Sequence, residues 1–152
     1  MRNHLLTAIA ALLALTATAG RPWDNGRLTV SENQRFLQFE NGEPFFWLGE
    51  TAWLMPERLN RDEVRFYLQT CQEAGYNMVQ VQVVNGVPAY NVYGQPSLTI
   101  GKDGRWQMNE GYWEHMDYII GEAERCNIYI GMVCIWGGLV KAGLMDVKQA
   151  KA

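Results

Sequence analysis

The stretch Phe45-Phe46-Trp47-Leu48-Gly49-Glu50-Thr51-Ala52-Trp53 decides the fold, because an apolar run ends abruptly in a glycine, a carboxylate and an indole. It reads as a core strand over Phe45 to Leu48 that delivers polar and stacking side chains to one end of a sheet. In a parallel barrel or an open α/β sheet, the carboxyl edge of the strands is where ligands bind. Glu50 and Trp53 are therefore the first site candidates.

Downstream, Asn60 and Glu63 have the spacing of a capping box. Val64, Tyr67, Leu68 and Cys71 recur at helical spacing, and Gly75 sits where a C-terminal cap belongs. Met78 to Val84 then alternates as a strand, with Val79, Val81 and Val83 on one face and Met78, Gln80 and Gln82 on the other. In a closed barrel the valines pack against outer helices, and the glutamines point inward, Gln82 toward the mouth. A half-exposed edge strand with solvated glutamines is the alternative.

A long connection follows, roughly Asn85 to Asn109, carrying Tyr90, Asn91, Tyr93 and Trp106. Loops of this length inside compact domains are usually functional or disordered, and these aromatics argue against disorder. A second helix runs from about Glu110 to Cys126, with Trp113, Met116, Ile120 and Ala123 as its buried stripe and His115 on the surface. Glu57, Arg58, Arg61, Asp62 and Glu63, and also Glu122, Glu124 and Arg125, read as solvated charge. Ile128 to Ile135 has the continuous apolar character of a strand buried on both sides. It ends in Trp136-Gly137-Gly138, repeating the aromatic-plus-glycine ending of the first strand. Asp146 to Ala152 reads as the opening of a third helix.

Upstream, Leu28 to Val30 and Arg35 to Phe39 read as short strands, with Asn41-Gly42 as a turn. Arg2 and His4 precede the apolar run Leu5 to Leu15 and a small-residue Ala17-Thr18-Ala19 site, the pattern of a secretory signal peptide over residues 1–19. The run is shorter than the ~20 residues of a spanning helix, so no stable membrane insertion is expected after cleavage, and the product is secreted or periplasmic. The net charge of -3 and the absence of a basic stripe exclude nucleic acid as a partner. Cys71, Cys126 and Cys134 lack a metal-knuckle spacing and read as small buried hydrophobes, and His115 stands without a ligand set, so no metal is expected. Cys126 and Cys134 fall about 20 Å apart along a strand, too far to bridge.

The order β, α, β, loop, α, β, start of α implies parallel strands with crossover helices. A (β/α)8 barrel needs about 250 residues, so the fold expected is α/β: the N-terminal part of a TIM barrel, about three βα units over residues 45–152, preceded by a short β-hairpin over 20–44. No cofactor motif follows the first strand, since GETAW offers neither a dinucleotide fingerprint nor a P-loop.

The run FFWLGETAWLMPERL, the strand AGYNMVQVQVV, the segment GYWEHMDYIIGEAERCNIYIGMV and the terminal WGG together resemble the apiosidase-like glycoside hydrolases, glycoside hydrolase family 140. The resemblance covers about Asn25 to Ala152. It implies a secreted (β/α)8 enzyme acting on pectin, such as side chains of rhamnogalacturonan II, in a parent protein often carrying a C-terminal accessory domain. Many members have Asp where Glu50 stands. The family's acid/base Asp and nucleophilic Glu are expected beyond Ala152, so no catalytic residue is assigned in this chain.

On this reading Glu50, Trp53, Gln82, Asn85, Tyr90 and Trp136 bind an oligosaccharide or polysaccharide. Each has a structural alternative: an arginine partner for Glu50, a core seal for Trp53 and Trp136, a solvated edge-strand position for Gln82, a turn for Asn85 and packing for Tyr90. A non-catalytic carbohydrate-binding module, an inactive truncated product and a small complete open-sheet protein are the competing readings.

Overall fold

A computed structural model describes residues 21–141, which fall into two compact units, one ending at Phe45 and the other beginning at Phe46. The expected signal peptide and the expected helix from Asp146 to Ala152 lie outside the described residues. No helix among them is long and apolar enough to cross a membrane.

The first unit is an antiparallel meander of three strands, β1 (Leu28–Val30), β2 (Leu37–Phe39) and β3 (Pro44–Phe45). Asn41-Gly42 makes the second turn as expected, because Gly42 adopts φ +88°, a region open to glycine without a Cβ clash. Phe39 and Phe45 are buried and meet edge to face at 5.5 Å. The expected hairpin is thus a three-stranded sheet, and Phe45 closes it.

That assignment moves the first core strand. In the second unit β4 spans Gly49–Thr51, not Phe45 to Leu48. The cause is Asn77, whose Oδ1 accepts from the Leu48 amide at 3.0 Å and whose Nδ2 donates to the Phe46 carbonyl at 2.7 Å. A side chain occupies the backbone groups that a ladder needs, so pairing starts only at Gly49. Gly49 is also constrained, since a Cβ there falls 2.7 Å from the Trp47 indole nitrogen.

β4 pairs in parallel with β5 (Met78–Val84), which pairs in parallel with β8 (Tyr129–Ile135), in the order β4-β5-β8. A helical turn, α1 (Met55–Arg58), and a longer helix, α2 (Arg61–Glu73), connect the first two strands. The capping box at α2 is present, with Asn60 accepting from the Asp62 and Glu63 amides and Glu63 accepting from the Asn60 amide. α3 (Glu110–Arg125) connects β5 to β8. The two helix-to-strand junctions, alike in sequence, are alike in backbone: Gly75 has φ +84° and Asn127 φ +56°, and each turns the chain into the next strand. Within the β5–α3 connection the chain forms a second antiparallel hairpin, β6 (Leu98–Ile100) with β7 (Trp106–Met108), where the sequence suggested irregular loop.

Val79, Val81 and Val83 all pack against the helices as expected, meeting Val64, Leu68 and Cys71 of α2 and Tyr112, Met116, Ile119 and Ala123 of α3. The buried stripe of α3 is rotated from the expected one. Ile119 is fully buried and Ile120 is exposed, and His115 and Glu122, both expected on the surface, are buried. The buried Glu122 side chain accepts from Arg125 Nη1 at 2.5 Å, with Arg65 Nε 3.8 Å away. β8 is half-exposed rather than buried on both sides, with Met132 and Cys134 open to solvent. Cys71 and Cys126 are buried, and all three cysteines are free. A short helix, α4 (Gly137–Lys141), follows β8.

Candidate functional site

Side chains paired in register across parallel strands share a face, so the β5 alternation sorts its neighbours. Thr51 pairs with Gln80 and Val133 with Gln82, and these four lie on the face opposite the helices. Glu50 pairs with Val79. It therefore lies on the helix side of β4, on the face opposite Gln80 and Gln82. Its Oε1 accepts from the Thr51 amide at 2.8 Å. Burial is the main cause of the raised pKa of Tyr67 and of Cys71 on α2, and the Glu50 charge adds to both shifts. No arginine pairs with Glu50 among the described residues. A one-residue offset in strand phase is enough to turn a side chain to the other face.

The other expected residues divide into a converging group and an outlier. Trp53 lies two residues past β4 and Trp136 directly after β8, and their rings meet edge to face at 6.0 Å and 75°. The Trp53 carbonyl accepts from the Gln82 amide at 3.0 Å, which ties the first indole to the middle strand. Gln82 is only 7% exposed, and its Nε2 has no partner among the described residues. Leaving a buried amide donor unpaired costs about 1–3 kcal/mol, so the site calls for an acceptor there. Tyr90 stands apart. It is exposed, across an antiparallel bridge from Pro96, and no hydrogen bond or ring contact ties it to the indole pair.

Asn85, the first residue beyond β5, donates from Nδ2 to Glu57 Oε2 at 2.9 Å. Glu57 is half-buried, unlike the solvated charge expected of it, and it is the carboxylate that α1 brings to the strand edge. The Tyr112 hydroxyl donates to the Val83 carbonyl and anchors the strand end from α3. Burial, with the Glu57 charge as a smaller cause, pushes the Tyr112 phenol up to about 12. Sequence reasoning passed over Glu57 because it sits in a charged run at a helix start. Its one distinguishing mark is that Pro56 precedes it and fixes the turn.

A recess of about 460 Å³ at the starts of α2 and α3 is lined by Arg61, Tyr93, Gln95, Gly111, Glu114 and His115 and shares no residue with the strand-edge group. We assign the site to the strand edge, because parallel sheets bind ligands there and the unpartnered Gln82 donor lies there. No group of three side chains suited to holding a metal occurs among the described residues.

His115 belongs to the scaffold beside that recess. Its Nε2 lies 3.0 Å from the Leu59 carbonyl, and its ring is packed against Tyr93 edge to face and stacked on Tyr118. Burial lowers its pKa, the Leu59 carbonyl opposes this, and Arg61 lowers it further. The unfolded chain thus binds this proton more readily than the folded one. Stability contributed by the neutral ring is full above about pH 6.5 and is lost as pH falls through the folded pKa. Urea unfolding at pH 7.5 and 5.5 is expected to differ by up to about 1 kcal/mol. In His115→Gln that difference should shrink, and an undiminished difference would assign the pH dependence to other groups.

Residues 31–152 match the model of the apiosidase-like catalytic domain. Among solved structures, a glycoside hydrolase family 5 protein from Bacteroides vulgatus is 63% identical, with a TM-score of 0.77 over 84% of this chain and 28% of its own. A protein described as a glycoside hydrolase is 58% identical, with a TM-score of 0.78 over 86% of this chain and 30% of its own. An endo-1,4-beta-mannanase from Rhizomucor miehei, 16% identical with a TM-score of 0.51 over 64% of this chain and 27% of its own, shares the fold alone. No curated protein matches. The chain spans less than a third of the length of these relatives, and its three parallel strands and helices correspond to part of their TIM barrel.

Proposed function

The chain belongs to the apiosidase-like catalytic-domain family, and from that premise we propose that it builds one wall of the sugar site in a secreted glycoside hydrolase acting on plant cell-wall polysaccharide. Pectin, in particular the side chains of rhamnogalacturonan II, is the substrate class that the sequence resemblance implies. The observation that carries the reading is the Trp53–Trp136 indole pair beside the unpartnered Gln82 amide at the strand edge. Aromatic faces suit the C-H faces of sugar rings, and a buried amide donor suits a sugar oxygen. Glycoside hydrolysis needs two carboxyl groups roughly 5–9.5 Å apart across the scissile bond. With Glu50 on the helix side, Glu57 is the one carboxylate at the strand edge among the described residues, and we propose that the catalytic pair comes from later strands of the barrel, as the family resemblance implies. The signal-peptide pattern of residues 1–19 supports export, and an accessory C-terminal domain belongs to the same proposal.

Titrating the 15N-labelled chain with rhamnogalacturonan II oligosaccharides tests this. The Trp53 and Trp136 indole N–H signals are expected to shift saturably, and the absence of any shift would rule the sugar site out. The self-contained indole and amide group also fits a non-catalytic carbohydrate-binding module. Release of reducing ends by a longer protein that continues this chain through the later strands of the barrel separates the two, since a module gives none and an enzyme does.

A further inference from the structure

We infer that Glu57 is a positioning residue of the sugar site, acting through Asn85. The inference rests on the carbohydrate reading above. Asn85 is exposed immediately past the end of β5, and Glu57 fixes one hydrogen of its amide at 2.9 Å. Its second amide hydrogen and its Oδ1 have no partner among the described residues. An asparagine side chain offers an acceptor and two donors in one plane, and a carboxylate can only accept. The Glu57 contact therefore decides which way the Asn85 amide is turned. It leaves one N–H and one carbonyl oxygen of this exposed side chain open to a ligand. Neighbouring hydroxyls of a sugar match that pair, one accepting and one donating.

The orientation is held from three sides. Pro56 and Met55 of α1 are buried, and the Pro56 carbonyl accepts from the Val92 amide at 3.0 Å, which pins α1 against the β5–α3 connection. Tyr112 holds the Val83 carbonyl two residues before Asn85. Glu57 Oε2 is thus presented to Asn85 by packed elements rather than by a freely rotating surface side chain. Preorganising a polar contact in this way reduces the ordering cost of binding.

The test measures the affinity of the chain for rhamnogalacturonan II oligosaccharides in four forms: wild type, Asn85→Ala, Glu57→Ala and Glu57→Gln. Asn85→Ala is expected to weaken binding about tenfold, and Glu57→Ala by a similar factor. Glu57→Gln should recover most of the loss, because its amide oxygen still accepts from Asn85. The double variant Glu57→Ala/Asn85→Ala should bind no worse than Asn85→Ala, the non-additivity expected when one residue works through the other. Wild-type affinity in Glu57→Ala overturns the inference, as do losses that add in the double variant. Should Glu57→Ala fail to fold, Asn85→Asp replaces it, setting two carboxylates against each other. A loss of at least tenfold is then expected, and wild-type affinity overturns the inference. If the wild-type chain itself binds no oligosaccharide, the carbohydrate reading is what fails, and this inference falls with it.

Discussion

Replacing Leu68 by alanine is expected to lower the stability of the chain by about 2–5 kcal/mol, the usual range for a buried leucine truncated in a packed core. Leu68 is fully buried on α2 and belongs to the cluster where the β5 valines meet both helices. The side chain lost there leaves a cavity between two secondary-structure layers, and the surrounding residues are already in contact with other partners. Thermal denaturation followed by circular dichroism should show the midpoint falling by ~10 °C or more. A fall of only a degree or two would mean that the sheet and helices are loosely packed, and that the valine face does not hold this layer together.

The second large effect belongs to the site. Trp136→Ala is expected to weaken oligosaccharide binding by roughly ten- to a hundredfold, in line with tryptophan anchors at binding surfaces. Stability should change little, because Trp136 is 55% exposed and stands beyond the end of β8. Isothermal titration against rhamnogalacturonan II oligosaccharides, alongside a thermal melt, separates the two quantities. Binding that survives the substitution with wild-type affinity would make the indole pair a seal over the sheet end.

Local periodicity carried most of the fold. The alternation of Met78 to Val84, the capping box at Asn60 and Glu63, and the helix end at Gly75 are all written in neighbouring residues, and the structure has each of them. The errors share a different origin. Whether Phe46 to Leu48 is strand depends on Asn77, about thirty residues away, whose side chain takes up their backbone groups. No window of sequence contains that contact. The face that Glu50 takes was illegible for the same reason, since the register with Val79 decides it and a slip of one residue reverses it. On α3 the apolar stripe was phased by Ile120 when Ile119 is the buried one, a step of about 100° that also put His115 and Glu122 on the wrong side.

The geometry of the candidate site was partly legible. Trp53 and Trp136 share an aromatic ending after an apolar run, and that likeness reflects two strand ends that lie close together. Gln82 was marked by polarity on an inward face. Glu57 was hidden because its partner, Asn85, is 28 residues away, and a charged run at a helix start looks alike whether one member is recruited inward or none is.

The meeting of Trp53 and Trp136 at 6.0 Å and 75° has an optical consequence. Two indoles this close and this far from parallel couple their electronic transitions, so the unliganded chain should carry an exciton couplet in its circular dichroism spectrum. Anything that enters between the rings or turns one of them changes the sign or size of that couplet. The protein thereby holds an intrinsic chromophore pair at its strand edge, one that reports occupancy without a label.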